Sequence, residues 1–252
     1  MFPYQVSQKI IISGKFLEHY TYENPYWVGW PRDKSYIPKK RLYKPIKDQE
    51  SIRDDNVRRT RIKIRRLVNC NQDLDRFMTL TFNSSITDLT VANPLFRLFI
   101  KRLTRIYPKF KYLCVPEFQP NSGRVHYHLL CNIPFIEKLD LERIWGNGFV
   151  FLRKVDKVDN MGAYICKYLG KANFDTRYFK KNKFFYSQNL LRPLIIDKID
   201  QIIHFFKNLP QTCQTLFKAS FDTKYLGRID YLQYKMNLFD YINILSFLPY
   251  RP

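Results

Sequence analysis

The chain has 252 residues with a formal net charge of +21, and 45% of its residues are hydrophobic and 17% aromatic. This length is enough to bury a sizeable core, and the hydrophobic fraction excludes a disordered basic tail. So large a positive charge is unusual for an ordinary cytosolic enzyme and indicates a polyanionic partner, for which nucleic acid is a better candidate than an anionic membrane.

Cysteine usage and hydropathy bear on the compartment. The cysteines are widely spaced and form no C-x-x-C pair, which argues against a zinc ribbon or a disulfide framework and favours a reducing compartment. The sequence opens without a signal-peptide pattern, and no apolar run is long enough to cross a bilayer. We therefore expect a soluble cytoplasmic protein without a membrane partner. The five cysteines are Cys70, Cys114, Cys131, Cys166 and Cys213.

The first quarter of the chain divides into an aromatic opening and a basic stretch. Residues 1–31 are rich in tyrosine and tryptophan but carry no recognisable site, and we expect an irregular arm that packs on the core. Residues 32–66 carry fourteen Lys and Arg against five Asp and Glu. The second half of this stretch predicts a basic helix or, from Arg61 onward, an alternating strand. Its expected use is contact with DNA phosphates, and the alternative is a merely solvated face.

Two ordinary elements precede the chemical motifs. Residues 77–82 alternate in the manner of a short strand. Asn93 and Pro94 then predict a helix start, as the N-cap and the first helical residue. Apolar residues recur at helical spacing as far as Ile106, so this element predicts an amphipathic helix.

A histidine pair lies in the apolar, alternating stretch of residues 124–132. His126 and His128 would share one face of a strand, as side chains two residues apart do. Glu117 lies on the preceding predicted strand, and the turn-forming residues 119–123 predict a hairpin that brings its carboxylate beside the imidazoles. Two imidazoles and a carboxylate suit a catalytic divalent metal with open positions. The alternative is a pair of structural histidines and a solvated acid at the end of a strand.

A third motif lies on a predicted helix that Asp159 or Asn160 can cap. Tyr164, Lys167 and Tyr168 fall at positions i, i+3 and i+4, so all three share one face of this helix. Tyrosines in such positions are commonly core anchors. Core anchoring alone does not explain a lysine placed between them.

The elements from residue 77 to the tyrosine helix follow the order β-α-β-β-α-β-α, with a short helix predicted at 137–145 and a strand at 149–155. This mixture, with a hairpin in the middle, predicts an α+β fold in which an antiparallel central sheet carries flanking helices. Residues 194–252 are expected to form a helical extension. The chain contains no Gly-x-x-x-x-Gly-Lys-Ser/Thr, so any unwinding of duplex DNA would need a separate helicase.

In their order and spacing, these motifs resemble those of the HUH endonucleases, and more narrowly the rolling-circle replication initiators of small circular single-stranded DNA phages and plasmids. The motifs are the strand of residues 77–82, the Glu-x8-His-hydrophobic-His of residues 117–128 and the Tyr-x-x-Lys-Tyr of residues 164–168. The resemblance covers roughly residues 75–193. We divide the chain accordingly into a basic, aromatic-rich N-terminal extension (1–70), an endonuclease core (71–193) and a helical C-terminal extension (194–252).

The resemblance implies a metal site and a tyrosine nucleophile. Glu117, His126 and His128 would hold Mg²⁺ or Mn²⁺ beside the phosphate that is cut. Tyr164 would attack this phosphate at the replication origin, leaving a 5′-phosphotyrosine link and a free 3′-hydroxyl primer, and the strand would later be rejoined.

The roles of Lys167 and Tyr168 follow from the same resemblance. A cation such as Lys167 would favour the phenolate of Tyr164. In family members with two catalytic tyrosines, residues four apart on the helix alternate as nucleophiles, whereas in members with one the later aromatic residue only packs. The sequence satisfies both patterns, so Tyr168 is a candidate for either role.

The implied partners are single-stranded DNA at the origin, a host helicase and a DNA polymerase in the cytoplasm of a host bacterium. Two other interpretations stay open. The chain could be a non-catalytic protein that binds single-stranded nucleic acid, with structural histidines. It could also be a relaxase or a transposase of the same chemistry, although relaxases usually carry three histidines in the cluster and such transposases are usually shorter.

Overall fold

Two five-stranded antiparallel sheets organise the chain, one in each of two units. The central unit comprises Lys44–Leu191, and the terminal unit combines Met1–Tyr43 with Arg192–Pro252. Helices accompany both sheets, which confirms the predicted α+β class with antiparallel sheets. The computed structural model describes residues 2–29, 46–155, 161–170, 182–209 and 212–246, and describes no side chains for 46–54, 161, 163, 168–170, 238, 245 and 246.

The sheet of the central unit is built from β3 (Arg76–Phe82), β4 (Tyr112–Phe118), β5 (Val125–Cys131), β6 (Gly148–Lys154) and β7 (Phe185–Tyr186). Its strand order is β6-β3-β5-β4-β7, and every pairing is antiparallel. The middle strand β5 is buried along its whole length, because both of its faces are covered. This burial explains why its sequence is nearly continuously apolar.

Helices pack on both faces of this sheet. They are α1 (Ile46–Cys70), α2 (Leu89–Ile106), α3 (Lys138–Trp145) and α4 (Met161–Gly170). On the first face, Phe96 of α2 stacks on Tyr127 with ring centroids 4.5 Å apart, and Trp145 of α3 packs against Phe82. These large side chains are fully buried and form the main core of the unit.

The opposite face of the sheet is covered by α1 and α4. Ile64 of α1 and Ile165 of α4 are fully buried against Val115 and Leu130 of the sheet. Burial of each such side chain stabilises the fold by about 1.5–3 kcal/mol. The three predicted metal-ligand residues lie on this same face.

The structure decides between the two predictions for the basic stretch, because residues 46–70 form one helix rather than a strand. Val57, Ile64, Leu67 and Val68 recur at helical spacing and are buried, which holds the helix on the sheet. This helix, assigned from sequence to the N-terminal extension, belongs to the central unit. The predicted division of the chain at residue 70 stays a prediction, and residue 70 lies within the central unit.

The predicted start of α2 at Asn93 and Pro94 is wrong. The helix begins five residues earlier, at Leu89, because the carboxylate of Asp88 accepts a hydrogen bond from the backbone N–H of Thr90. Leu89 and Ala92 are buried, so the added turn gains packing that offsets the hydrogen bond lost at Pro94 inside the helix.

The terminal unit contains the second sheet, with strand order β8-β1-β2-β10-β9. Its core joins Ile10 and Leu17 of the strands to Ile202, Phe205 and Ile244 of two helices. The elements are β1 (Tyr4–Ser13), β2 (Phe16–Val28), β8 (Leu194–Ile196), α5 (Ile199–Lys207), β9 (Gln214–Thr223), β10 (Gly227–Lys235) and α6 (Leu238–Ser246).

The expectations of an irregular N-terminal arm and a purely helical C-terminal extension are therefore wrong. β10 pairs with β2 along Ile229–Lys235, so strands about 200 residues apart in sequence complete each other's backbone hydrogen bonds. Local patterns cannot reveal a pairing of such distant segments. Within the described parts of the chain, no helix is long and apolar enough to span a bilayer.

Candidate active site

The register of the central sheet brings the predicted metal-ligand residues together. Glu117 of β4 lies directly opposite His126 of β5, and His128 lies opposite Thr79 of β3. Residues that are opposite each other in an antiparallel pair share a face, and so do residues two apart on one strand. Glu117, His126 and His128 therefore lie on the same face of the sheet. All three are buried.

The imidazole of His128 is held from both sides. Its Nε2 lies 2.7 Å from Oε2 of Glu117, and its Nδ1 lies 3.1 Å from Oγ1 of Thr79. Because a carboxylate can only accept, Nε2–H donates to Glu117, and in the neutral ring Nδ1 accepts from the Thr79 hydroxyl. These two hydrogen bonds fix the ring orientation.

His126 is different, because its buried Nε2 has no hydrogen-bond partner among the described residues. Burial lowers the pKa of His126 from its usual value, and the neighbouring His128 lowers it further, while Glu117 opposes the shift. The neutral imidazole is thus favoured, which is the form that binds metal ions. A buried nitrogen without a partner is costly unless a ligand uses it.

The donor set fits a divalent ion in its chemistry, with two imidazoles and one carboxylate. In the part of the chain that the structure describes, no three His, Cys, Asp or Glu side chains converge as closely as metal ligands do. The hydrogen bond between His128 and Glu117 joins two of the three donors to each other instead. The ring centroids of His126 and His128 lie 6.3 Å apart.

Helix α4 brings Tyr164 close to these residues, and the ring of Phe77 connects them. The ring of Phe77 on β3 stacks on His128 with centroids 5.9 Å apart and an interplanar angle of 14°. The Tyr164 ring meets the same phenylalanine edge-on at 5.1 Å. Phe77 therefore separates the candidate nucleophile from the histidine cluster by one ring.

Cations from β6 and from α4 itself contact Tyr164. Nη2 of Arg153 on β6 donates a hydrogen bond of 2.6 Å to the Tyr164 Oη, and its guanidinium also lies over the rings of Phe77 and Tyr164. Nζ of Lys167 lies 5.2 Å from the centroid of the Tyr164 ring. The lysine expected to assist the tyrosine thus contacts its ring, while the arginine contacts its oxygen.

Sequence reasoning missed Arg153. The strand of residues 149–155 was predicted, but no role was attached to its cation. One signal was available: Arg153 follows Phe149 and Phe151 at two-residue spacing, so all three share a face of the strand. That this face is the one with the histidines depends on the pairing of β6 with β3, in which Phe77 lies opposite Arg153.

The remaining residues of the tyrosine motif are only partly described. Tyr168 belongs to α4, but its side chain lies outside the described part of the structure, as do Asp159 and Asn160, the predicted helix caps. The role of Tyr168 therefore stays a prediction.

A basic cleft of about 410 Å³ opens where α1 and α4 pack together. It is lined by Arg58, Arg61 and Arg65 of α1 and by Lys167 of α4. Gly162 also lines it, and a side chain there would meet the backbone of Arg65, because a Cβ atom would lie 2.9 Å from the Arg65 Cα. Several guanidinium groups around one cleft suit the phosphates of a polynucleotide.

Comparison with known protein families gives a match to the central unit. Residues 75–173 match a family model that is described as the replication-associated protein ORF2. The match covers less than half of the chain, but it extends from just before β3 to beyond α4 and contains all six predicted site residues. No curated protein and no solved structure matches the chain significantly. The similarity supports a function in replication and is consistent with a rolling-circle Rep-type protein.

Proposed function

We propose that the chain is a rolling-circle replication initiator that nicks single-stranded DNA at an origin and later rejoins it. Tyr164 is the nucleophile in this proposal, and Glu117, His126 and His128 hold a divalent metal, Mg²⁺ or Mn²⁺. The observation that carries the proposal is the position of Tyr164. Its oxygen accepts a hydrogen bond from Arg153, and a single phenylalanine ring separates it from His128.

The proposed reaction exchanges one phosphodiester for another. The Tyr164 oxygen forms a bond to phosphorus and loses its proton, while the bond from phosphorus to the 3′-oxygen breaks. The 3′-oxygen takes a proton and becomes the free hydroxyl that primes synthesis. Because the phosphotyrosine link conserves the energy of the broken bond, the reverse attack by a 3′-hydroxyl can rejoin the strand.

The residues around Tyr164 account for its activation in this mechanism. A phenol is almost entirely protonated near neutral pH and is then a weak nucleophile. Hydrogen bonding from the charged Arg153 stabilises the phenolate, and Lys167 adds a second positive charge beside the ring. When bound, a divalent metal would supply stabilisation of the negative charge that grows on the phosphate oxygens. His126 fits this ligand role because its Nε2 is buried without a hydrogen-bond partner among the described residues.

The proposed partners follow from charge and from the reaction. The arginines of the cleft between α1 and α4 would contact DNA phosphates near Tyr164. A host helicase and a DNA polymerase in the bacterial cytoplasm would extend the primer.

An adduct assay with two labels tests the proposal. The substrate is a single strand that contains the origin of the replicon encoding the protein, incubated with Mn²⁺ or Mg²⁺. With a 3′-end label, we expect label that stays on the protein after denaturation. With a 5′-end label, we expect a shorter free strand that a polymerase can extend.

Matched variants identify the residues involved. Tyr164→Phe should abolish the adduct, whereas Tyr107→Phe, at a half-buried tyrosine of the same unit, should not. His126→Ala and chelation of the metal should also abolish it, whereas His204→Ala, at an exposed histidine of the terminal unit, should leave it unchanged. A Tyr168→Phe variant distinguishes one catalytic tyrosine from two, because only a second nucleophile would support a further round of cleavage and rejoining. Tight binding of origin DNA without any adduct would instead favour the non-catalytic alternative.

A further inference from the structure

Strand β6 presents two large apolar side chains to solvent on the face that carries the site. Phe149 and Phe151 are 64% and 58% exposed, whereas their neighbour Val150 is buried on the opposite face. β6 is also an edge strand. Contiguous exposed apolar surface on a folded protein is typical of an interaction site.

The sheet register aligns this pair with the candidate active site. Thr81 of β3 lies opposite both Phe149 and His126, and Thr79 lies opposite both Phe151 and His128. Each phenylalanine is therefore two strands from a histidine in the same cross-strand row. Neighbouring strands are about 4.8 Å apart, so the backbone of each phenylalanine lies about 10 Å from the backbone of the histidine in its row. The next row contains Arg153 and Phe77, which contact Tyr164.

We propose that Phe149 and Phe151 form a platform on which two bases of the single-stranded DNA stack beside the phosphate that is cut. This inference rests on the proposed function, and it assigns specific residues to substrate binding. Side chains two apart on a strand are separated by about 6.6 Å, so one base cannot cover both rings and each ring takes its own base. Stacking of bases on aromatic side chains tolerates any sequence, because every base has a π-face.

Charges around the platform complement a polynucleotide. A cleft of about 510 Å³ runs along this edge and is lined by Phe151 and Arg153 from the face of the platform. Its other charged residues, Arg76, Lys138 and Lys154 with the carboxylate of Glu137, lie on the opposite face beside apolar side chains such as Leu141 and Val150. A single strand would present bases to the two rings and phosphates to Arg153 and to the cations around the edge. Single-strand binding sites commonly combine aromatic side chains with a basic groove.

The test compares DNA with and without bases. The probes are a labelled oligo(dT) strand of about 20 nucleotides, longer than the largest usual site sizes, and an abasic strand of the same length and charge. Binding is measured by fluorescence anisotropy with EDTA present, so that no cleavage occurs. We expect Phe149→Ala and Phe151→Ala each to weaken binding of oligo(dT) about fivefold or more, and the double variant to weaken it further. Binding of the abasic strand should not change.

Control variants separate stacking from loss of fold. Phe149→Tyr and Phe151→Trp keep an aromatic face and should bind oligo(dT) within about twofold of the parent protein. Phe239→Ala removes an exposed phenylalanine of the terminal unit and should have no effect. Equal melting temperatures for all variants are expected, because the side chains at both β6 positions are already solvent-exposed.

Three results would overturn the platform. These are unchanged binding of oligo(dT) by the double alanine variant, an equal loss for both probes, and self-association of the parent protein that the double variant abolishes without affecting DNA binding. The last would mean that a second copy covers this edge. Failure of the platform leaves the adduct assay with Tyr164→Phe unaffected. Failure of the nicking proposal would show as the absence of any adduct, whether or not the phenylalanines bind bases.

Discussion

At the residue scale, two histidines on one strand have opposite environments. The ring of His128 is fixed by Glu117 and Thr79, whereas His126 keeps a buried nitrogen without a partner among the described residues. A purely structural pair would be expected to satisfy both rings, since buried polar atoms are nearly always hydrogen-bonded. The difference favours a ligand role for His126. It also makes the orientation of His128 depend on the carboxylate that is the third proposed ligand.

The first residue-scale prediction concerns Arg153. Arg153→Ala should slow adduct formation about tenfold or more, because a hydrogen bond to a charged group contributes about 1.5–3 kcal/mol. Arg153→Lys keeps the positive charge and should restore part of the rate. The measurement is the rate of adduct formation at saturating DNA, with Lys154→Ala on the same strand as the matched control. Equal effects of the two alanine variants would mean that Arg153 acts only through general charge.

The second residue-scale prediction concerns pH and His19 of β2. Burial lowers the pKa of His19, whose Nε2–H donates a hydrogen bond to the amide oxygen of Gln8 and whose ring packs on Phe206. As the pH falls below about 6.5, the usual pKa of histidine, the unfolded chain therefore binds more protons than the folded one. The folded state is then destabilised relative to the unfolded state, so the free energy of unfolding decreases below this pH. Urea unfolding at several pH values, followed by circular dichroism, should show this loss.

The matched comparison is between His19→Gln and His204→Gln. The first variant should reduce the fall in unfolding free energy between about pH 7.5 and pH 5.5, because it removes the titrating group. His204→Gln, at an exposed position of the same unit, is the control for the substitution itself. An identical pH dependence in the parent and in His19→Gln would contradict the prediction.

At the element scale, the position of α4 depends on its close approach to α1. Gly162 lies in the first turn of α4, and the space that a side chain would need is occupied by the backbone of Arg65. Alanine is ordinarily preferred to glycine in a helix by about 1 kcal/mol, so the glycine here is explained by packing and not by helix propensity. The contact sets how α4 presents Tyr164, two residues further on, to Phe77 and Arg153.

The element-scale prediction is that Gly162→Ala will lower activity more than stability. The new methyl group forces α4 away from α1 and moves the Tyr164 oxygen relative to the DNA, and small misplacements of a nucleophile can lower a rate about 100-fold. Gly162→Val should have a larger effect than Gly162→Ala. Adduct rates and melting temperatures of both variants provide the measurement. Unchanged rates in both would show that the spacing of the helices does not set the position of the tyrosine.

At the scale of the whole molecule, the distribution of charge bears on the proposed interaction with DNA. The net charge of +21 is spread over the chain, but the basic cleft between α1 and α4 concentrates part of it along the helix that carries Tyr164. Neutralisation of phosphates by lysine and arginine releases counterions, so affinity falls as salt rises. Binding that depends on this cleft should therefore be strongly salt-dependent.

The whole-molecule prediction concerns how steeply the affinity for DNA falls as salt rises. A plot of log affinity for single-stranded DNA against log salt concentration should have a slope of about −2 or steeper, which corresponds to roughly three or more phosphate contacts. Arg61→Ala, in the cleft, should make the slope shallower by about 0.7. Arg97→Ala, on the opposite side of the sheet in α2, is the control and should leave it unchanged. A slope that Arg61→Ala does not change would remove the cleft from the DNA path.

Much of the central unit was predictable from sequence because its signals are local. The alternation of residues 77–82, the hairpin around residues 119–123 and the helical spacing of Tyr164 and Lys167 each depend on neighbours within a few positions. These patterns predicted the α+β class, which the structure confirms. They also predicted that Glu117 and the histidines would meet, because a hairpin pairs residues that are close in sequence.

The terminal unit and the surroundings of Tyr164 were decided only by tertiary structure. The pairing of β2 with β10 joins segments about 200 residues apart, and no local pattern records it. Arg153 acquires its place beside Tyr164 from the pairing of β6 with β3 and the packing of α4 on the sheet. The sequence determined which side chains are candidates for chemistry and which local elements hold them. The tertiary structure decided which of them meet, because that depends on long-range strand register and helix packing.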